Sequence, residues 1–378
     1  MTKVLVLVTM ATKSQEAQFL LSELVAAGVA PEIVDISLDS GGKVLDGAGK
    51  CLAMASSAER AIKQVNDARK GGAEVVVGIG GGTGGEIALQ VMRALPVTYP
   101  KVLCTTLPFD PRFAVADNSI VLVPSPSDIL GLNGMLRECL ENTALITAGL
   151  CRKKRKGELF DIKPSIGITA LGATDKAIGP LVGALTEQGR ECTVFHSNGF
   201  GGAAFARFAR NGAIDAIIDL TPHELTRIHL AGAHVPMPDR FSAGGHLPRI
   251  VLPGGINFIG LGQKDLMPAH YLERPHYEHS SLFTHVKLTE DEMKHVSTKL
   301  AAELNALSGP CAVIIPMGGF SHQDRPGGEI EDPALRNICA ATLEDQLHDT
   351  IPVTRLDAHL FAPEVTKAIT STLATLPA

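Results

Sequence analysis

"VVVGIGGGTGGEIALQ", residues 75–90, decides the fold class of this chain. A β-branched apolar run stops at Gly78, glycine fills six of the eight positions from Gly78 to Gly85, and helical spacing begins at Glu86. Strand, glycine turn and helix in that order are the repeating unit of a parallel sheet covered by helices. Glycines let the backbone approach a phosphate, and the next helix turns its free N–H groups and positive end towards it. Gly80, Gly82 and Gly85 have the spacing of a dinucleotide-binding fingerprint, whereas a P-loop is excluded because Glu86 follows where lysine is required. The candidate cofactor-binding residues are therefore Gly80, Gly81, Gly82, Thr83, Gly84 and Gly85, with Thr83 the one hydroxyl among them. The same residues would also suit a tight corner between strand and helix, and both readings stand at this point.

Working outward, short apolar runs alternate with longer helical ones. Strands are expected at 4–8, 32–35, 75–79, 102–105 and 120–123, and helices at 15–27, 53–70, 85–95 and 129–150. The second half repeats the pattern, with strands at 165–170, 192–196, 216–218, 250–252, 312–315 and 353–356. Helices are expected there at 174–188, 203–211, 290–307 and 334–347. The fold class is α/β: two Rossmann-like domains, 1–160 and 161–378, with mainly parallel sheets and a ligand cleft between them. The basic run Arg152 to Lys156 falls where a long helix should end and suits the negative pole of its dipole, leading into an interdomain connection.

Composition narrows the function. A chain of 378 residues exceeds one ordinary core. A net charge of -6 gives no broad attraction to nucleic acid or an anionic membrane, and with no tryptophan and 4% aromatics a base-stacking surface is not expected. Seven cysteines without a CxxC spacing argue against a disulfide framework or zinc site. The opening MTKVLVLVTMATKS reads as a first buried strand, and no apolar run approaches the ~20 residues of a membrane span, so a soluble cytoplasmic protein is expected.

Other glycine turns also follow apolar runs. "VFHSNGFGGAAFARF" places His196, Asn198, Gly199, Gly201 and Gly202 at a strand end, with Asn198, Gly199, Gly201 and Gly202 as further cofactor-binding candidates and His196 positioned as an acid/base or ligand contact, or else as a buried, satisfied histidine. "IVLPGGINFIGLG" places Gly254 and Gly255 likewise, and "VIIPMGGFSHQDRPGG" adds Ser321 and Asp324. Asp219 ends the strand before "LTPHEL", where a carboxylate can face ligand through Mg²⁺. In open α/β sheets ligands bind outside the carboxyl ends of strands, where all these turns would sit, and a polar, phosphorylated ligand is the expectation. Most of the 13 histidines lie between His223 and His285; without an H-E-x-x-H pattern they read as polar loop histidines, and no metal ligand is assigned. "RPHYEHSS" contributes Arg274, Tyr277 and His279, and if extended sends His276 and Glu278 to one side, Tyr277 and His279 to the other.

"GIGGGTGGEIA", "HSNGFGGAAFARF", "RPHYEHSSLFTHVKLTEDEMKHVSTKLAAELN" and "IIPMGGFSHQDRPGGEIEDPALR" together resemble one family. It is that of the ATP-binding amino-terminal domain of the tomato mosaic virus resistance protein and its uncharacterised bacterial relatives. The resemblance runs in order over nearly the whole chain. It departs at Ser280, where the family has asparagine, at Pro222 and His223 within "DLTPHEL", and in the stretch Gly319 to Asp324. The resemblance implies two Rossmann-like subdomains with ATP, and Mg²⁺ as its companion ion, in the cleft between them. It also implies a homodimer and, since plant members carry a barrel behind this region, a separate phosphoenolpyruvate-mutase-like barrel protein as partner. The expected function is an ATP-binding enzyme of small-molecule catabolism, with Gly254, Gly255, Tyr277, His279, Ser321 and Asp324 holding the small substrate. The alternative is a nucleotide-independent lyase or hydrolase of a small oxo or carboxylic acid, using His196 as acid/base and Arg274 as a carboxylate clamp.

Overall fold

The computed structural model of the chain describes all residues except 42–43, 109, 152–163, 233–236, 238 and 378. The basic run at 152–156 lies outside the described residues. The chain forms two compact units, Met1–Asp161 and Ile162–Ala378.

The first unit carries β1 (Lys3–Val8), α1 (Met10–Ala26), β2 (Ala30–Asp35), α2 (Gly47–Lys70), β3 (Ala73–Gly80), α3 (Gly82–Arg93), β4 (Lys101–Thr105), α4 (Pro111–Val115), β5 (Val121–Pro124) and α5 (Gly134–Cys151). Its sheet is parallel, in the order β2-β1-β3-β4-β5. The near-continuous apolar runs of β1 and β3 follow from burial on both faces. Val4, Val6 and Val8 pack with Leu20, Leu24 and Leu140 of α1 and α5, while Leu5 and Leu7 pack with Ala58, Val65, Ile87 and Val91 of α2 and α3. This is a Rossmann-like domain with helices on both faces.

The second unit carries β6 (Ser165–Ala170), α6 (Ile178–Glu187), β7 (Cys192–His196), α7 (Gly201–Arg210), β8 (Ile214–Asp219), α8 (Glu224–His229), β9 (Arg249–Val251), β10 (Phe258–Leu261), α9 (Ala269–Leu272), β11 (His276–Ser280), β12 (Phe283–Lys287), α10 (Glu290–Asn305), β13 (Cys311–Pro316), α11 (Pro333–Gln346), β14 (Val353–Leu356) and α12 (Pro363–Thr375). The main sheet is again parallel, β14-β13-β9-β8-β6-β7. Between β9 and β13 the chain inserts a small antiparallel sheet, β10-β12-β11, which the sequence reading did not include. Two Rossmann-like domains with mainly parallel sheets are therefore the architecture.

Three boundaries moved for identifiable reasons. Helix α1 starts at Met10 rather than 15 because Asp35 accepts from the Met10 amide at 3.1 Å and Ser37 from that of Ala11 at 3.0 Å. Helix α5 starts at Gly134 rather than 129, since Gly131 has φ +75° and the Asn133 side chain caps the Leu136 amide. The helix expected at 174–188 is split into a 3₁₀ turn, Asp175–Ala177, and α6. Among the described residues no helix is long and apolar enough to cross a membrane.

Candidate functional site

In the first domain, the glycine turn after β3 divides into two kinds of residue. A Cβ on Gly80 would stand 2.6 Å from the backbone of Gly84 and Gly85, and one on Gly85 would stand 3.1 Å from the Gly80 carbonyl and the Thr105 hydroxyl. These two are glycines because strand and helix touch there. At Gly81, Gly82 and Gly84 a Cβ would meet nothing nearer than 3.5, 3.8 and 3.4 Å, ordinary contact distances, and none of them has a positive φ. Internal packing does not demand glycine at these three.

The turn borders a cavity of about 570 Å³, lined by Gly80, Gly81, Gly82, Thr83 and Gly84 together with Thr9, Lys13, Ser37, Lys50 and Asp128. It lies where the strand order reverses: β1 leads to α1 on one face and the adjacent β3 to α3 on the other, which opens a crevice at their carboxyl ends. The two helix ends there differ. At α1 the amides of Met10 and Ala11 are already taken by Asp35 and Ser37. Although burial opposes it, the bonds from Ser37 and Met10 hold the Asp35 carboxyl below the usual carboxylate range. At α3 the N-cap is Gly81, no side chain caps the helix, and the first amides have no intrahelical acceptor. The open end, with its positive dipole and two lysines nearby, suits an anion.

The second domain has the same reversal, between β6 and β8, but there the chain's own side chains fill the crevice. Thr174 Oγ1 lies 2.8 Å from Thr221 Oγ1, and Ser197 Oγ donates to the Thr221 carbonyl at 2.6 Å. Arg240 donates to both oxygens of Asp219, at 2.9 and 2.8 Å, and to Glu224 at 3.0 Å, with all three side chains at most 1% exposed. Thr169 donates to Asp219 at 2.8 Å, and Arg249 stands 3.9 Å away. Burial alone would raise the Asp219 pKa, yet the two arginines and these hydrogen bonds hold it low; Glu224 is pushed up to about 7 by burial against the pull of Arg240. Nothing in the sequence around Arg240 marked this network.

The remaining candidates fall into place around it. His196 is exposed, and its Nδ1 accepts from the Asn198 amide at 3.2 Å. Gly199 has φ +63°; a Cβ on Gly201 would overlap the His196 carbonyl, and one on Gly202 would meet Met237 Sδ at 2.5 Å and Glu224 at 2.8 Å. Gly254 stands against the Leu220 carbonyl, and Gly255, at φ +70°, donates to Phe320. Ser321 is buried, its hydroxyl accepting from Asn257 at 3.3 Å. Asp324 accepts from Arg336 at 2.6 Å and from the Phe320 amide at 2.9 Å; burial pushes its pKa up to about 6. Hydrogen bonds thus tie the turns at 196–202, 219–224, 254–255 and 319–324 together. Arg274 is held elsewhere: its guanidinium pairs with Glu292 and the Lys287 carbonyl at the start of α10. A carboxylate clamp at Arg274, as in the second reading, would act beside this Glu292 pair. Tyr277 and His279 lie on β11, with ring centroids 6.1 and 5.0 Å from that of His285. The expectation of polar loop histidines fails for His223, which is wholly buried.

Comparison with known proteins places these features in a lineage. The descriptions "Uncharacterised protein family (UPF0261) C-terminal domain" and "N-terminal domain" match residues 163–376 and 43–156. A UPF0261 protein of Mesorhizobium japonicum is 30% identical over 99% of both chains, and one of Rhizobium meliloti is 31% identical over 97% of both. The ToMV resistance protein Tm-1 of Solanum lycopersicum is 27% identical over 71% of this chain and 37% of its own length.

Proposed function

Since this chain belongs to the uncharacterised protein family UPF0261, and its sequence resembles an ATP-binding domain, we propose that the first domain binds ATP at the turn after β3, as part of an enzyme of small-molecule metabolism. The observation that carries this reading is the pairing of a sterically unneeded glycine triplet, Gly81, Gly82 and Gly84, with an uncapped helix end on a 570 Å³ cavity. The amides of Gly82, Thr83 and Gly84 would receive phosphate oxygens, Lys13 and Lys50 would offset their charge, and the Asp128 carboxylate is available to a Mg²⁺ brought with the nucleotide. Reaction at such a site would rest on positioning and electrostatics, which suits phosphoryl transfer or ligation.

Titration calorimetry of the whole chain with ATP, with and without Mg²⁺, tests this. Micromolar binding is expected, about 8 kcal/mol of affinity, and Gly82→Val should weaken it at least tenfold while the far-ultraviolet circular dichroism is unchanged. Absence of binding, or equal binding by the folded variant, would reject the proposal and leave the turn as a corner between strand and helix.

A further inference from the structure

One acid of the first domain stands where its helix should be apolar. The buried residues of α1 are Glu16, Ala17, Leu20 and Leu24, so Glu16 takes the first place of a 16–20–24 stripe turned to the core. It is 3% exposed. A carboxylate buried in that way is costly unless it is hydrogen-bonded. Its partner lies 115 residues along the chain: Oε1 accepts from the Gly131 amide at 2.7 Å.

Gly131 belongs to the segment between β5 and α5 that carries Asp128. At its start the Ser125 amide donates to the Thr105 carbonyl at 2.9 Å, and the Ser125 hydroxyl to the Ser127 carbonyl at 2.8 Å. Further on, Ile129 is wholly buried in the core cluster that includes Leu20 and Leu24. Apolar burial is non-directional, so it sets how deep Ile129 sits but not how the chain beside it is turned. The bond from Gly131 to Glu16 supplies that direction. Gly131 has φ +75° and open space where a Cβ would stand, so backbone conformation rather than crowding calls for glycine.

Both ends of this bond lead to the 570 Å³ cavity. Lys13, one turn before Glu16 on α1, lines it, and so does Asp128, just ahead of Gly131. Asp128 is exposed, and its side chain has no hydrogen bond or ion pair among the described residues. Glu16 therefore ties the wall that carries Lys13 to the wall that carries Asp128. Mg²⁺ is usually bound through one or two carboxylates together with the phosphates of its substrate. Among the described residues no group of three or more His, Cys, Asp or Glu side chains could hold a metal by itself, so an ion here would take its other ligands from nucleotide and water.

We propose, resting on the nucleotide reading above, that Glu16 is a positioning residue: its bond to Gly131 holds Asp128 over the cavity so that the site takes ATP as its Mg²⁺ complex. Glu16 itself touches neither nucleotide nor ion.

Calorimetry of the full chain gives the affinity for ATP with and without Mg²⁺, and the readout is the ratio of the two. The parent should bind Mg²⁺–ATP about tenfold more tightly than ATP alone, or more. Asp128→Asn should bring that ratio near one. So should Glu16→Leu, which keeps the stripe apolar and removes the acceptor, and Gly131→Pro, which removes the donor from the other side. Glu16→Gln retains an acceptor oxygen and should restore most of the ratio. A merely structural role would weaken both affinities alike and leave the ratio intact. In the parent, Mn²⁺ added with ATP should broaden the amide resonances of Asp128 and Ile129, and in Glu16→Leu that broadening should fade. The bond is cut from both ends so that one variant failing to fold does not remove the test. ATP binding with no effect of Mg²⁺ in the parent, a parental ratio in Asp128→Asn or in either folded bond-cutting variant, or equal loss in Glu16→Gln and Glu16→Leu overturns this role alone. A parent that binds no ATP under either condition overturns the nucleotide reading, and this inference with it.

Discussion

Six glycines look alike in a sequence, but the atoms around each separate them. Gly80→Ala would drive a methyl against the backbone of Gly84 and Gly85, and overpacking of that kind costs roughly 1–3 kcal/mol or more. Gly82→Ala meets no obstacle at the first helical position, so denaturant unfolding should find it neutral or slightly stabilising while ATP affinity falls. Equal destabilisation by both substitutions would contradict the division of the turn. His223 supports a prediction of a different kind. An imidazole held at about 3 in the fold and near 6.5 in the unfolded chain binds more protons when unfolded, so its contribution is complete above pH 6.5 and is lost as pH falls towards 3. The stability–pH slope of His223→Gln over that window should therefore be shallower than that of the parent by up to about 1.4 kcal/mol per pH unit. Parallel slopes would mean that the ring is not buried neutral. The histidine enrichment was visible in the sequence, but burial of this one was not. It depends on Gly255 and Phe258, contributed by a later strand crossing and its insertion.

At the scale of elements, the candidate Arg274 also takes part in organising secondary structure. Glu292 completes a capping box with Thr289 at the start of α10 and also receives Arg274 from the chain before β11. Removing Arg274 leaves that carboxylate without its charged donor, a loss of roughly 1–3 kcal/mol. Arg274→Ala should accordingly lower the urea midpoint without altering the binding of small acids; unchanged stability together with lost acid binding would support the clamp. The parallel strands were legible because burial on both faces makes them continuous apolar runs, and β6, β7 and β14 fall where expected. The small sheet was not legible, since β11 is mostly polar and its two turns carry no hairpin signature. The start of α1 escaped as well, because its cap comes from Asp35 and Ser37, 25 and 26 residues further along.

For the whole molecule, the repeated topology sets up a comparison between the two reversal points. In the first domain the crevice is a cavity bordered by bare amides; in the second it is filled by Asp219, Arg240, Thr174 and Thr221. The glycine turns of the two halves read alike in sequence, yet in the second Gly202 packs against Met237 and Glu224, and Arg240 ties Glu224 to Asp219. The first domain also owns its cores: the clusters on both faces of its sheet draw only on residues from Val4 to Cys151. Residues 1–151 expressed alone should therefore fold cooperatively and keep nucleotide affinity. Ligand at a hundredfold excess over its dissociation constant would add about 2.7 kcal/mol to their stability. Thermal unfolding of the fragment with and without ATP makes the measurement. A cooperative transition that ATP raises supports a self-contained nucleotide domain; a folded fragment indifferent to ATP, beside a full chain that binds it, would show that contacts beyond residue 151 complete the site.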